Sequence, residues 1–257
     1  MKQLIQSELS RLVMRRRTAI ILIISLLAFI FIAFFNSTFG VGFYDPFVTA
    51  NLDSLNFTPF ILRDYHFYLV LILCPLLVVE TFNRERYSRE YRMVMIRPYS
   101  RVQLYVAKIL TLAIVMGVFS IILWMMANIF AQLMLPKVTN TSFFESQTLY
   151  TSTEAILFSL KFYIVEYVIL ISVMGVISLI SLLLPNTILA FLGSVFVLCL
   201  VGFGMPVFEF LVSSTRSIFD LLLGMGSSGN VILYVLVILG IGIGGSYALF
   251  RRNDYLS

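Results

Sequence analysis

Long, unbroken apolar runs constrain this chain more than any other feature. Six are present, at about 19–35, 66–82, within 102–135, within 155–184, at about 187–208 and at about 231–250. A helix needs roughly 20 residues to cross a hydrocarbon core, and each run is near or above that length. Barrel strands would instead alternate apolar and polar residues in segments of about ten. Helices are therefore expected, because they satisfy their own backbone N–H and C=O groups where no water is available. The chain is 60% hydrophobic and 12% charged, with a mean hydropathy of +0.98. A soluble domain carries about 25% charged residues. The expected fold is an all-α integral membrane protein with six transmembrane helices, forming a single transmembrane domain over 1–257.

The third and fourth runs exceed what a bilayer needs, since 34 residues of helix reach roughly 51 Å. Their ends are expected to project into water or lie in the interface. Pro136 is placed to stop the third run, and Pro185-Asn186 to make an uncharged turn between the fourth and fifth.

Lysine and arginine set the orientation. The N-terminal tail holds Lys2, Arg11, Arg15, Arg16 and Arg17, the stretch after the second run holds six arginines with Lys108 close by, and the C-terminus holds Arg251 and Arg252. With six spans all three lie on one side. The opposite loops carry only Arg63, Lys137 and Arg216, against Asp45, Asp53, Asp64, Glu145, Glu154, Glu209 and Asp220. Both termini are thus expected in the cytoplasm, with a bacterial cytoplasmic membrane as the setting. The net charge of +5 follows from this asymmetry and from anionic head groups, so it is no argument for nucleic acid.

Residues 1–18 do not read as a secretory signal, because no small-x-small cleavage site follows the apolar run. Ile5, Leu9, Leu12 and Val13 recur at helical spacing, with Lys2, Gln6, Arg11 and Arg15 largely elsewhere around the turn. The pattern predicts an amphipathic helix on the inner membrane surface, with a plain basic flank as the alternative. Residues 36–65 are expected to cap the outer side. Residues 205–230 mix apolar stretches with Glu209, Arg216 and Asp220, which predicts interfacial or re-entrant helices before the last span.

Groups that carry chemistry are few. No G-x-x-x-x-G-K-[ST] loop and no G-x-S-x-G occurs. An enzyme of the lipid phase would need polar groups from several spans converging at one depth, and the sequence marks no such set. No catalytic residue and no metal ligand is assigned. Gly240 and Gly244 form a small-x-x-x-small pattern expected to serve helix packing. His66, the single histidine, is expected to be an interfacial residue, and Cys74 and Cys199 to pack in apolar surroundings. Lys161 and Glu166 fall in the fourth run, where a central charge costs about 2.5–3.5 kcal/mol on insertion scales. The excess length favours an outer, interfacial position for both, with a paired or substrate-facing Glu166 as the alternative. Asn128 and Gln132, four apart near the outer end of the third run, could tie helices or, with Glu166, line a substrate path.

One strongly charged island stands out, NRERYSREYRMVMIRPYSR at 83–101, with six arginines against two glutamates. Within it Glu85-Arg86 is followed by Arg97-Pro98-Tyr99-Ser100-Arg101, then by Leu104 and Ala107-Lys108-Ile109-Leu110. This resembles the membrane subunits of type-2 ATP-binding-cassette exporters, whose second and third spans are joined by an E-R…G-T-x-x-x-L-L-x-x-P-[VIL]-S-R…K-[IL]-L segment. Arg89-Glu90 stands where that pattern has Gly-Thr, and Met93, Val94 and Met95 where it has leucines. The order of parts along the whole chain is similar too, although only about 80–110 is motif-specific.

The resemblance implies a permease subunit whose cytoplasmic helix docks on a separate ATPase, which holds the ATP and Mg; no cofactor is expected in this chain. It implies coupling through Glu85, Arg86, Arg89, Arg92, Met93, Met95, Arg97, Pro98, Ser100 and Arg101. It also implies a homodimer or a pair with a sister permease, with the path between copies and membrane lipids around it. Glu80 is placed one turn before Arg84, in reach of pairing with it. The apolar spans point to a hydrophobic or amphipathic cargo such as a peptide, drug or lipid. The alternatives are a secondary transporter, for which neither a repeat nor a central charge is evident, and an immunity-type binding protein.

Overall fold

The computed structural model describes residues 1–44, 49–84, 100–143, 148–224 and 228–252. Helix α1 (Lys2–Val13) is followed by α2 (Arg16–Phe39), the chain turning at Arg15, whose backbone is extended. Next come α3 (Phe57–Asn83), α4 (Arg101–Met134), α5 (Ser152–Leu183), α6 (Thr187–Gly204), a 3-10 turn (Pro206–Leu211), α7 (Thr215–Leu223) and α8 (Ser228–Arg252). Helices α2 to α6 and α8 are six helices long and apolar enough to cross a membrane. Two antiparallel ribbons decorate the loops: β1 (Val41–Phe43) pairs with β2 (Thr49–Asn51), and β3 (Asn140–Thr141) with β4 (Tyr150–Thr151).

Local chemistry marks the helix ends. A capping box opens α4, where Ser100 Oγ accepts from Gln103 N and Gln103 Oε1 accepts from Ser100 N. Thr151 and Glu154 do the same for α5. Gly40, at φ 65°, closes α2 in the left-handed conformation, its N–H bonded to Asn36 O. Leu135 and Leu184 are extended ahead of Pro136 and Pro185, the conformation that a following proline imposes. Asn186 Oδ1 then accepts from Ile188 N to start α6.

The second span begins nine residues before the apolar run at 66–82. Asp53 Oδ1 accepts from Leu55 N and Asn56 N, while Asn56 Oδ1 accepts from Asp53 N, and this mutual cap starts α3 at Phe57. Arg63 and Asp64 depress the hydropathy of this turn, yet Phe57, Phe60, Ile61 and Leu62 are all buried. Within α3, Leu69–Leu73 is a π turn. Pro75 follows it; the proline has no N–H to return to Leu71, and its ring crowds that carbonyl, so the wider turn absorbs the mismatch.

Helix α3 forms the centre. Its apolar window is 72% buried, against 56% for α5 and 22% or less for α2, α6 and α8, so those three turn their outer faces to the surroundings. Tyr65 donates to Ser25 O and stacks on Tyr68, tying α2 to α3. Tyr167 donates to Ala113 O, tying α5 to α4.

Helices α5 and α8 cross at glycines, but not those expected. A Cβ on Gly242 would lie 2.6 Å from the Gly175 carbonyl carbon and the Val176 nitrogen, so the two backbones meet there. Gly240 and Gly244 are exposed, with nothing within 4 Å of their Cβ positions. Within the protomer the contact therefore falls to Gly242. The rotation of α8 sets this, because Val235, Ile238, Gly242, Ser246 and Phe250 form its buried stripe.

Candidate functional site

Both roots of the charged island are fastened to other helices. At the end of α3, Asn83 is 2% exposed; its Nδ2 donates to Ser181 O (3.0 Å) and Leu184 O (2.7 Å), and its Oδ1 accepts from Thr187 Oγ1 (3.1 Å). The amide thereby fills the open carbonyl end of α5 and reaches the first residue of α6. At the start of α4, Arg101 Nη1 donates to Arg251 O in the last turn of α8, at 3.2 Å.

Helix α1 clasps the same region. Lys108 is 1% exposed and its Nζ donates to Glu8 Oε2 at 3.2 Å and to Thr81 O at 3.5 Å. Arg11 Nη2 also reaches Glu8 Oε2, at 2.7 Å. Arg15 Nη1, at the turn between α1 and α2, lies 3.9 Å from Glu80 Oε1, and the Arg84 side chain expected to pair with Glu80 lies outside the described residues. Leu4 and Leu12 are buried on the same face of α1 as Glu8. Of the expected stripe of Ile5, Leu9, Leu12 and Val13, Leu12 is buried on this face, Ile5 and Leu9 are half-buried at its edge, and Val13 is exposed.

Of the expected coupling residues, Ser100 caps α4 and Arg101 anchors to α8. Glu85, Arg86, Arg89, Arg92, Met93, Met95, Arg97 and Pro98 lie outside the described residues. Asn128 bonds back to Trp124 O in its own helix, and Gln132 is exposed. Neither is brought together with Glu166.

Glu166 belongs to a second polar cluster that the sequence did not reveal. It is 2% exposed and His66 is 1% exposed, and Glu166 Oε1 is in direct hydrogen-bond contact with His66 Nδ1. Ser214 Oγ donates to Glu166 Oε2 at 2.7 Å and stands 3.2 Å from His66 Nδ1, while His66 Nε2 meets Leu211 O at 3.2 Å. Lys161, by contrast, is exposed on the outer surface of α5. His66 is therefore a buried link between spans, and Glu166 takes the paired alternative. Sequence separations of 100 and 148 residues hid the cluster.

A serine, a histidine and a carboxylate converge here, but their order does not suit nucleophilic catalysis. In a catalytic triad the serine and the carboxylate use different ring nitrogens. Here both meet Nδ1, and Nε2 faces a carbonyl oxygen, which requires Nε2 to carry a hydrogen. The ring has no free nitrogen with which to take a proton from Ser214.

Residues 4–200 match the family model described as "ABC-2 family transporter protein". Curated proteins give no match. The matched stretch contains Glu8, Lys108, Asn83, His66 and Glu166 and ends before the Leu211–Ser214 segment. It spans more than half of the chain, from α1 through most of α6, and members of this family are the multi-pass membrane component of the transporter rather than its catalytic part. The chain belongs to the ABC-2 family of transporter proteins, as a permease subunit.

Proposed function

We propose that the chain is one half of an ATP-driven exporter. Two permeases, identical or sister, enclose the path between them, and a separate ABC ATPase carrying ATP and Mg docks on residues 83–101 from the cytoplasm. One observation carries this reading: the two roots of the charged segment are bonded to the inner ends of α5, α6 and α8, and α1 clamps α3 to α4 beside them. A push on the segment from a closing ATPase dimer would reach these helices through short, direct hydrogen bonds instead of being lost in a slack loop. Arg86, Arg92 and Arg97 supply charge for acidic partners, and Met93 and Met95 an apolar anchor.

The cargo is hydrophobic or amphipathic, in keeping with the apolar outer faces of α2, α6 and α8, which also meet lipid acyl chains or the second permease. The bacterial cytoplasmic membrane fits the basic face at α1 and the last turn of α8.

Affinity capture of the tagged chain from native membranes tests the reading. An ABC ATPase is expected to be retained, and to be lost when Arg86, Arg92 and Arg97 are all replaced by Glu. Retention of the ATPase by that triple variant would overturn the docking site. ATP-dependent loss of a fluorescent amphipathic peptide from sealed vesicles, absent without the ATPase, would separate an exporter from a peptide-binding immunity protein.

A further inference from the structure

We propose that His66, Glu166 and Ser214 form a binding site for a single proton, and that this proton holds the re-entrant segment 206–214 onto α3 and α5.

The hydrogens can be counted from the geometry. Ser214 gives its hydroxyl hydrogen to Glu166 Oε2, and His66 gives its Nε2 hydrogen to Leu211 O. Two contacts meet Nδ1, one from Ser214 Oγ at 3.2 Å, whose hydrogen is already given to Glu166, and the shorter one from Glu166 Oε1, which takes one proton, whichever atom carries it. With that proton the cluster is neutral overall and its polar atoms are matched. If it leaves for the outer solution, the Nδ1 lone pair faces a buried carboxylate and the site holds one uncompensated negative charge. If a second proton enters, an imidazolium faces a neutral carboxyl and the site holds one positive charge. Both states put a net charge where almost no water reaches, which is costly.

Among the described residues, no other charged side chain is bonded to Glu166 or His66. On α3, Cys74 is fully buried, and on α5 the Tyr163 hydroxyl, also buried, donates to Thr58 O. Tyr65 is committed to Ser25 O on α2. On the outer segment Arg216 and Asp220 are near one another, and Glu209 stands on the 3-10 turn. Thiol and phenol groups are neutral across the ordinary pH range, so the shared proton balances the charge.

The consequence is mechanical. Leu211 and Ser214 are the two points at which the outer segment touches this pair, and His66 stands one turn before the π segment of α3. Gain or loss of the proton therefore weakens the seat of 206–214, which makes the site a proton-sensitive latch on the outer side of the bundle.

Hydrogen–deuterium exchange of the full chain in phosphatidylglycerol nanodiscs, corrected for intrinsic rates, reads the latch directly. Protection of 206–214 is expected to be greatest at intermediate pH. It should fall by about tenfold or more on both the acid and the alkaline side, the size of one buried charged hydrogen bond, while protection of 170–182 stays constant. Glu166→Gln can give an amide hydrogen to Nδ1 and accept from Ser214, so it should keep the protection and lose the alkaline fall. Ser214→Ala should lower protection at every pH and keep both limbs. Infrared spectroscopy of the parent protein supplies a readout that no variant needs to fold for: a carboxyl or imidazolium band that titrates with the exchange. A flat profile in the parent, or an unchanged alkaline limb in Glu166→Gln, would overturn the proposal. None of these measurements involves the ATPase, so their outcome is separate from that of the coupling reading.

Discussion

Glu8 and Lys108, one hundred residues apart in the chain, meet at 3.2 Å with 7% and 1% of their side chains exposed. The pair joins the N-terminal helix to α4, and Lys108 also reaches Thr81 O at the end of α3. Glu8 keeps its bond to Arg11 when Lys108 is replaced, so removing Glu8, the acceptor that both cations share, is the more costly change; breaking a buried ion pair costs up to about 3–5 kcal/mol. Lys108→Met and Glu8→Leu alone are each expected to destabilise the chain, while the double substitution recovers much of the loss. Denaturation in detergent compares the three, and additive losses in the double variant would show that the pair does not act as a unit.

The crossing at Gly175 and Gly242 leaves no room for a side chain on α8. Gly242→Val is expected to cost about 1–3 kcal/mol or more by forcing α5 and α8 apart. Gly240→Val and Gly244→Val should leave the protomer's folding nearly unchanged, since their Cβ positions are open. Thermal unfolding of the three variants ranks them; a larger loss at Gly240 than at Gly242 would contradict the crossing.

Phe219 is fully buried, and its ring lies 5.0 Å from Phe162, 5.1 Å from Tyr44, 5.7 Å from Phe60 and 5.9 Å from Phe158. One side chain of α7 thus fastens the outer segment to α3, α5 and the first outer loop. Phe219→Ala is expected to cost about 3–5 kcal/mol. Faster exchange across 206–223 should accompany the loss, and Phe219→Leu should be milder.

Asn83 donates to two carbonyls at the end of α5 and accepts from Thr187. Asn83→Ala leaves those groups without their partner, costing about 1–3 kcal/mol. Asn83→Asp should be worse, because a carboxylate would face two carbonyl oxygens. Protease cleavage within 83–101 is the measurement, with cleavage rising in the order parent, Ala, Asp.

Burial raises the Asp220 carboxyl above its ordinary 3.8, with Arg216 offsetting part of the rise. A carboxyl raised on folding binds its proton more tightly in the folded chain than in the unfolded one. Its contribution to stability is therefore fully present below 3.8 and is lost as pH rises through the folded value. Asp220→Asn is expected to raise the unfolding temperature slightly at neutral pH and to match the parent in acid. An equal gain at both pH values would point away from ionisation as the cause.

Much of the architecture was legible along the chain because the signals are local. Apolar run length marks a membrane span without knowledge of its neighbours, and Pro136 and Pro185 terminate helices through their own rings. The start of α3 was missed because Arg63 and Asp64 lower the hydropathy of a turn that is nonetheless packed inside. The packing face of α8 was missed for a related reason. Both Gly240-x-x-x-Gly244 and Gly242 with its neighbours are small-residue patterns, and only the rotation of the helix against α5 selects between them.

The candidate site divides along the same line. The island at 83–101 shows itself by charge density and by its P-x-S-R register, both properties of adjacent residues. Its anchors do not show, because Asn83 and Arg101 reach partners about 100 and 150 residues away. His66 and Glu166 illustrate this most sharply. Taken singly, each reads as a polar residue near a span's edge, and only the approach of α3, α5 and the outer segment makes them a buried pair. The sequence by itself determined the membrane spans, the six helices and the family, since these depend on hydropathy, local turn chemistry and short-range motifs. The tertiary structure alone decided which polar groups neutralise one another, because a buried charge is tolerated only where a partner is brought to it in space.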